Sequence, residues 1–310
     1  MLAIFLKTLP FFAIIGLGYF SGRTRFFSAE ATAYLTKFVF YFALPAMLFK
    51  FTTQLSLGDF LNWDFLLAYL LASLAIYAIA TAVAFLRRTS IEEAAVEAQC
   101  AVVGNIGFLG LPMLALLMGP GAVAPVMMML TVDLFVFGAL IVILITGSRD
   151  GRMSLGILKT VTLGVIKNPM IAALFLGVCW SSLGVTLPAP VDDLITMLAG
   201  ASTPCALFVI GASLAGKTAE RASVALWLSW CKLVMHPALI AVLMLMVFPI
   251  DLYLAAVAIA AAALPVAGNI YIVAQSYNAA PQRASAAILV STVISIVTAS
   301  VVIGWVEQLY

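Results

Sequence analysis

Two short stretches of this chain combine backbone-breaking residues with a polar amide: Gly104-Asn105-Ile106-Gly107, with Pro112 following, and Pro265-Val266-Ala267-Gly268-Asn269. Each lies inside a long apolar run. Glycine and proline interrupt the backbone hydrogen-bond ladder, and freed peptide groups at membrane depth persist only where protein, water or a ligand satisfies them. Two half-helix N-termini facing each other there would present partial positive charge, a seat for a carboxylate, and asparagine side chains offer donors and an acceptor to orient it. Gly104, Asn105, Ile106, Pro112, Pro265, Gly268 and Asn269 are therefore the candidate binding residues. The competing account is packing, because glycine and proline also let membrane helices kink or approach closely. A single break favours packing; a matched pair in corresponding positions favours a site.

Asp133 is the candidate proton-coupling residue. It sits near the centre of an apolar run, where an acid costs a few kcal/mol unless it is paired or protonated. The alternative is a permanent structural partner for a cation, Lys232 among them. Lys50 and Lys232 are expected to snorkel toward the interface, and His236, the only histidine, to be a satisfied packing residue. Gly211 to Thr218 fits the pattern of a nucleotide phosphate loop, but it ends an apolar span instead of joining a strand to a soluble helix. It reads as a helix C-terminus with a basic anchor at Lys217. Cys100, Cys179, Cys205 and Cys231 fall singly, with no metal-ligand spacing. No cofactor and no metal are expected, and no nucleophile–base set for an enzyme is found. The coupling ion is expected to be a proton in preference to sodium.

The elements that position these residues follow from composition. Hydrophobic residues make up 65% of the 310 positions and charged residues 9%, against roughly 45–50% and about 25% in soluble domains. The solvent is the bilayer. Apolar runs of the required length give ten spans: 3–20, 33–52, 64–86, 94–118, 122–146, 164–183, 194–214, 223–248, 252–276 and 284–305. A β-barrel would alternate polar and apolar residues, whereas Leu66 to Ala84 is apolar all round. The run from Met1 to Phe20 has no cleavage site of the signal-peptide kind and reads as a retained first helix. Arg23, Arg25, Arg87, Arg88, Arg149, Arg152, Lys159, Lys217, Arg221 and Arg283 all follow odd-numbered spans; Asp59, Asp192, Asp193 and Asp251 lie on the other side. By the positive-inside rule the basic loops are cytoplasmic and both termini are outside.

Sliding the chain on itself at an offset of 159 superimposes Pro10 on Pro169, Gly18 on Gly177, Pro45 on Pro204 and Phe49 on Phe208. An offset of 164 places Gly104-Asn105-Ile106 on Gly268-Asn269-Ile270. Each unit of such a duplication holds five helices, and five crossings leave the chain on the opposite side, so the second unit is inverted. The expected fold is thus an all-α membrane protein of ten transmembrane helices in two inverted five-helix repeats, residues 1–147 and 161–310, joined by a short cytoplasmic linker, 148–160.

The residues themselves then suggest a family. Gly104 through Pro112 (GNIGFLGLP), Lys167-Asn168-Pro169, and Ala263-Leu264-Pro265 leading to Ala274 and Tyr277-Asn278 resemble the auxin efflux carrier family of plant exporters and bacterial relatives, within a superfamily of bile acid-, arsenite- and riboflavin-type transporters. The resemblance covers essentially the whole chain. It implies crossing of broken helices 4 and 9, an elevator-like movement of a transport domain against a scaffold that dimerises as a homodimer, and Asn105, Pro112 and Pro265 as parts of the substrate site. Bacterial members are associated with malonate, malate and similar acids. The plant carriers' long insertion after helix 5 is replaced here by Gly147 to Lys159, and Ala267-Gly268-Asn269 departs from the plant pattern, so the ligand need not be an indole acid. The expected function is secondary transport of a small organic anion, a mono- or dicarboxylate, across a bacterial inner membrane, with the lipid bilayer as the other partner and no nucleic acid. A uniporter or channel-like facilitator, and a sensor on a transporter fold, are the alternatives.

Overall fold

The computed structural model describes residues 2–53, 62–150, 169–216 and 222–310. Asp59, Arg152, Lys159, Lys167, Asn168, Lys217, Arg221 and most of the 148–160 linker lie outside the described residues. Within them the chain is helical, with no strand; an isolated antiparallel bridge joins Gly104 to Val266. The helices are α1 (Leu2–Arg23), α2 (Ala29–Thr52), α3 (Trp63–Leu86), α4 (Ile91–Val102), α5 (Ile106–Leu117), α6 (Pro120–Ser148), α7 (Pro169–Ser182), α8 (Ala189–Leu214), α9 (Ala222–Val247), α10 (Leu252–Ala262), α11 (Asn269–Ser276) and α12 (Pro281–Val306). Among them α2, α3, α6, α8, α9 and α12 are each long and apolar enough to cross a membrane. At about 1.5 Å per residue even 24 residues exceed a hydrocarbon core of about 30 Å.

Polar side chains start these apolar helices. Ser28 accepts from the Ala31 amide at 3.1 Å before α2, Asn62 from Phe65 at 2.9 Å before α3, and Asp251 from Tyr253 at 3.0 Å before α10, each satisfying an N–H that has no partner in its own helix. Small residues then share the buried face of α3 with a few large ones, Phe65, Tyr69, Ile76 and Tyr77. Along α3, Ala68, Ala72, Ala80 and Ala84 are buried while Leu67, Leu71 and Leu74 face outward. Lipid is as apolar as leucine, so small residues go where helices must approach.

The closest approaches are glycine-made. A Cβ on Gly18 would run into the carbonyl oxygen of Phe208 and lie 3.0 Å from the Ala212 amide, and one on Gly211 would run into the carbonyl oxygen of Ile15 and lie 2.8 Å from the Tyr19 amide, so α1 and α8 meet backbone to backbone. A Cβ on Gly177 of α7 would run into the Thr52 hydroxyl of α2 and lie 3.0 Å from the Phe49 carbonyl oxygen, so this glycine makes room for both the side chain and the backbone of α2. Gly211→Ala should therefore force α1 and α8 apart at a cost of about 1–3 kcal/mol. A melting temperature in detergent equal to that of the unaltered protein would show that the two backbones do not touch there.

Around the middle of the chain α3, α6, α9 and α12 enclose the interrupted segments α4 and α10. Every residue from 94 to 107 and from 255 to 267 is buried. One buried tie here is ionic. Glu97 of α4, 0% exposed, pairs with Arg87 at the end of α3 and with Arg283 in the first turn of α12 at 2.6 Å; Arg283 also reaches Glu93 at 3.1 Å. Arg283, read from the sequence as a loop cation marking the cytoplasmic side, is buried and committed to this cluster.

Several helices contain a single widened turn of the π type: Val39–Ala43, Ile106–Gly110, Asp133–Phe137, Cys231–Met235 and Leu243–Val247. Pro45, Pro112 and Pro237 each stand two residues past such a turn. A proline cannot donate and crowds the carbonyl four residues back, and slipping the ladder by one residue relieves both problems. The turn that opens on Asp133 is followed by Gly138 and has no proline to account for it.

Candidate functional site

The two interrupted segments meet. After α4 the backbone turns extended at Val103 (φ −78°, ψ 113°), and residues 103–105 run antiparallel to residues 265–267. The Asn105 amide donates to the Pro265 carbonyl at 2.8 Å, and the Ala267 amide donates to the Val103 carbonyl at 3.1 Å. The Val266 amide, pointing away from the crossing, donates to Ser291 Oγ of α12 at 3.1 Å. Three peptide N–H groups and two carbonyls at the breaks are thus satisfied by protein, as burial demands.

From this crossing α5 and α11 depart, so their N-terminal ends lie beside it. Asn105 precedes α5 and is tied down through its backbone, its carbonyl accepting from Leu109 and Gly110; the residue is 8% exposed. Ile106 is buried beside it. Gly268 and Asn269, at the start of α11, are exposed. The two asparagines are therefore unequal, one sunk in the crossing and the other at its mouth. Pro265 lies within the crossing. Pro112 does not: it is buried inside α5, past the widened turn that it imposes, and the interruption lies at Val103 to Asn105 instead.

A polar thread runs behind the crossing. Asp133, 4% exposed, accepts a hydrogen bond on Oδ1 from the Tyr69 hydroxyl at 2.7 Å, while its Oδ2 is buried with no hydrogen-bond partner. Four residues along α3, Ser73 Oγ meets His236 Nε2 at 2.9 Å. His236 Nδ1 is 3.5 Å from Lys232 Nζ, one turn back on α9, and Lys232 donates to the carbonyl of Ala262, the last residue of α10. Lys232 and Asp133 also interact electrostatically. Tyr69 and Ser73, and Lys232 and His236, are each four apart, so each pair shares one helix face.

Lys232 corrects the sequence expectation. It is 0% exposed and does not snorkel. It stands about 15 Å along α9 from its start, and about 22 Å from its end, farther than a lysine side chain reaches. Gly104 makes room for it: a Cβ there would lie 3.0 Å from Lys232 Cε and 3.1 Å from Nζ. Lys50 remains partly exposed, bonded to Thr196 and 3.7 Å from Asp192. His236 is satisfied, as expected, although by partners that link it to the crossing. Tyr69, Ser73, Ser291 and Glu97 were not singled out from the sequence. The signal for Lys232 was present: a lysine and a histidine four apart in mid-span necessarily face the same neighbour.

A family model described as a membrane transport protein matches residues 3–303. The chain belongs to this membrane transport protein family. The "Putative malonate transporter" of Rhizobium meliloti (strain 1021) is 31% identical over 297 residues, covering 94% of this chain and 92% of the relative. The "Uncharacterized transporter YfdV" of Escherichia coli (strain K12) is 28% identical over 298 residues, covering 94% of each. The "Lysosomal cholesterol signaling protein" of Mus musculus is 28% identical over 232 residues, which cover 69% of this chain and 26% of that protein. Membership makes this chain a multi-pass membrane transporter for a small molecule, and not an enzyme.

Proposed function

We propose that this family member is a secondary carrier for a small organic anion, a mono- or dicarboxylate of the malonate kind, bound where the two interrupted helices cross and carried by an elevator-like movement. The observation that carries the reading is the antiparallel pairing at Gly104 and Val266, from which α5 and α11 start. Two helix N-termini beside one point present partial positive charge to a carboxylate. Lys232 behind Gly104 adds a full positive charge, and Asn105 and Asn269 supply orientation. The likeness to a protein named for malonate agrees with the charge of the site.

In this reading α4 with α5, and α10 with α11, each count as one span, giving ten in two inverted units, 1–147 and 161–310, about the 148–160 linker. The glycine contacts support it. Gly18 meets Phe208 and Gly177 meets Phe49, and the offset of 159 that superimposes the glycines also superimposes the phenylalanines. The contacts are reciprocal, as exchange of two equivalent units requires. Helices α1, α2, α7 and α8 then form the scaffold and the homodimer face, and the rest the moving domain. Asp133 is the proton-coupling residue, with one carboxylate oxygen unpartnered. The protein sits in a bacterial inner membrane with both termini outside.

Asn105→Ala should weaken malonate binding by roughly 1.5–3 kcal/mol, the value of a hydrogen bond to a charged group, without lowering the melting temperature of the empty protein. Asn269→Ala should act in the same direction. Calorimetric titration of malonate in detergent measures both, and unaltered affinity in the two variants would remove the asparagines from the site.

A further inference from the structure

At the carbonyl end of α10 the Ile259 and Ala261 carbonyls accept from the Ala263 and Leu264 amides, and the carbonyl of the last residue, Ala262, takes a side chain instead. A half-helix ends there at the crossing, and the last-turn carbonyls of a helix have no partner within it. In transporters built on interrupted helices, such C-terminal ends and the unwound carbonyls beside them are where a coupling cation is held. In this chain the Ala262 carbonyl receives the Lys232 ammonium. That ammonium is completely buried, has His236 Nδ1 at 3.5 Å, lies within electrostatic reach of Asp133, and is backed by the missing side chain of Gly104. A carbonyl oxygen at a helix end, with a carboxylate within electrostatic reach, is an oxygen environment that suits a monovalent cation, and a covalently attached one fills it.

We propose that Lys232 is a tethered cation that occupies the seat a coupling sodium ion would take at the end of α10, so that this carrier works without sodium. The charge that other carriers import with each cycle is here built into α9. The inference rests on the crossing being the transport site, but its consequence for cations does not depend on the substrate. Gly104 belongs to the same device, because a side chain there would meet the lysine stem. Around the ammonium the charged and titratable groups are Asp133, His236 and, through Asp133, Tyr69.

The test is thermal unfolding of the purified full chain in detergent, in sodium chloride and in choline chloride at equal ionic strength. The unaltered protein should melt at the same temperature in both. Lys232→Ala, with the seat emptied, should melt several degrees higher in sodium than in choline, with a saturating dependence on sodium concentration, because a cation that binds only the folded state raises its stability. A sodium-specific rise in the unaltered protein would overturn the proposal, and so would a Lys232→Ala protein that folds and responds equally to both salts. If Lys232→Ala does not fold, the unaltered protein decides alone: identical curves support the tethered cation and a sodium-specific shift removes it. Malonate titrated in the same buffers separates the two readings, since a protein that ignores malonate yet shows the expected cation pattern loses the substrate assignment and keeps this one.

Discussion

Asp133→Asn, which mimics the protonated acid, should keep malonate binding and make malonate uptake into proteoliposomes indifferent to an imposed pH gradient. A permanent pairing of Asp133 with Lys232 would instead lower the stability of the variant by a few kcal/mol. The side chain is buried, Tyr69 holds one of its oxygens, and Lys232 is the buried cation with which it interacts. Asparagine keeps an acceptor for the Tyr69 hydroxyl but removes the negative charge that acts on the buried Lys232 ammonium, and any loss of stability in the variant measures how far that charge was compensated. Removing both charges should behave differently. Asp133→Asn combined with Lys232→Met should recover most of any lost stability, because a neutral pair of similar volume carries no unmatched charge, and the double-mutant cycle measures the coupling directly. Transport should not recover with it, since no group then takes up a proton. An Asp133→Asn protein that melts like the parent and still follows the pH gradient would show that Asp133 is neither the partner of Lys232 nor the proton site.

Glu97→Gln should be damaging for a different reason. Glu97 is a fully buried carboxylate bonded by two guanidinium groups, from Arg87 and Arg283, which arrive from α3 and α12. Neutralising it leaves Arg283, itself buried, with only Glu93 among the described residues, and the Glu93 carboxyl side chain is 35% exposed. The loss should be about 3–5 kcal/mol, and the melting transition in detergent should shift accordingly. Glu93→Gln supplies the control: a pair with one partly exposed partner is worth about 0–1 kcal/mol. Equal shifts for the two variants would mean that α12 is not held to α4 through Glu97.

How much of this could be read from the sequence depends on whether a residue announces itself or depends on its neighbours. The interruptions at Gly104-Asn105 and Pro265 were legible because glycine and proline act on the local backbone wherever they stand. The position of Asp133 was legible because an acid in an apolar run needs an explanation in any fold. Lys232 was not placed correctly, since the sequence states how far a lysine lies from the end of its span but not that Gly104 and Ala262 wait beside it. Glu97 escaped notice because it follows Glu92 and Glu93 at the polar start of a span, where carboxylates are expected in water, and only the arrival of Arg283 from 186 residues away makes it a buried one. Pro112 was assigned to the break itself, although a proline disturbs the ladder upstream of its own position and the disturbance is a widened turn. Asn269 matches Asn105 by sequence offset, yet the chain before it crosses at Val266, so the two asparagines end at different depths.

The crossing also constrains how the protein is made. The amide of Asn105 and the carbonyl of Val103 find their partners at Pro265 and Ala267, more than 150 residues later. At synthesis rates of about 5–20 residues per second, that interval is about 8–30 s. Throughout it the newly inserted first half carries two peptide groups that lipid cannot solvate, each worth several kcal/mol if left bare. The nascent first half is therefore not a stable guest of the bilayer by itself. It must be sheltered, by the insertion machinery or by water held at the break, until the second half arrives to close the pair.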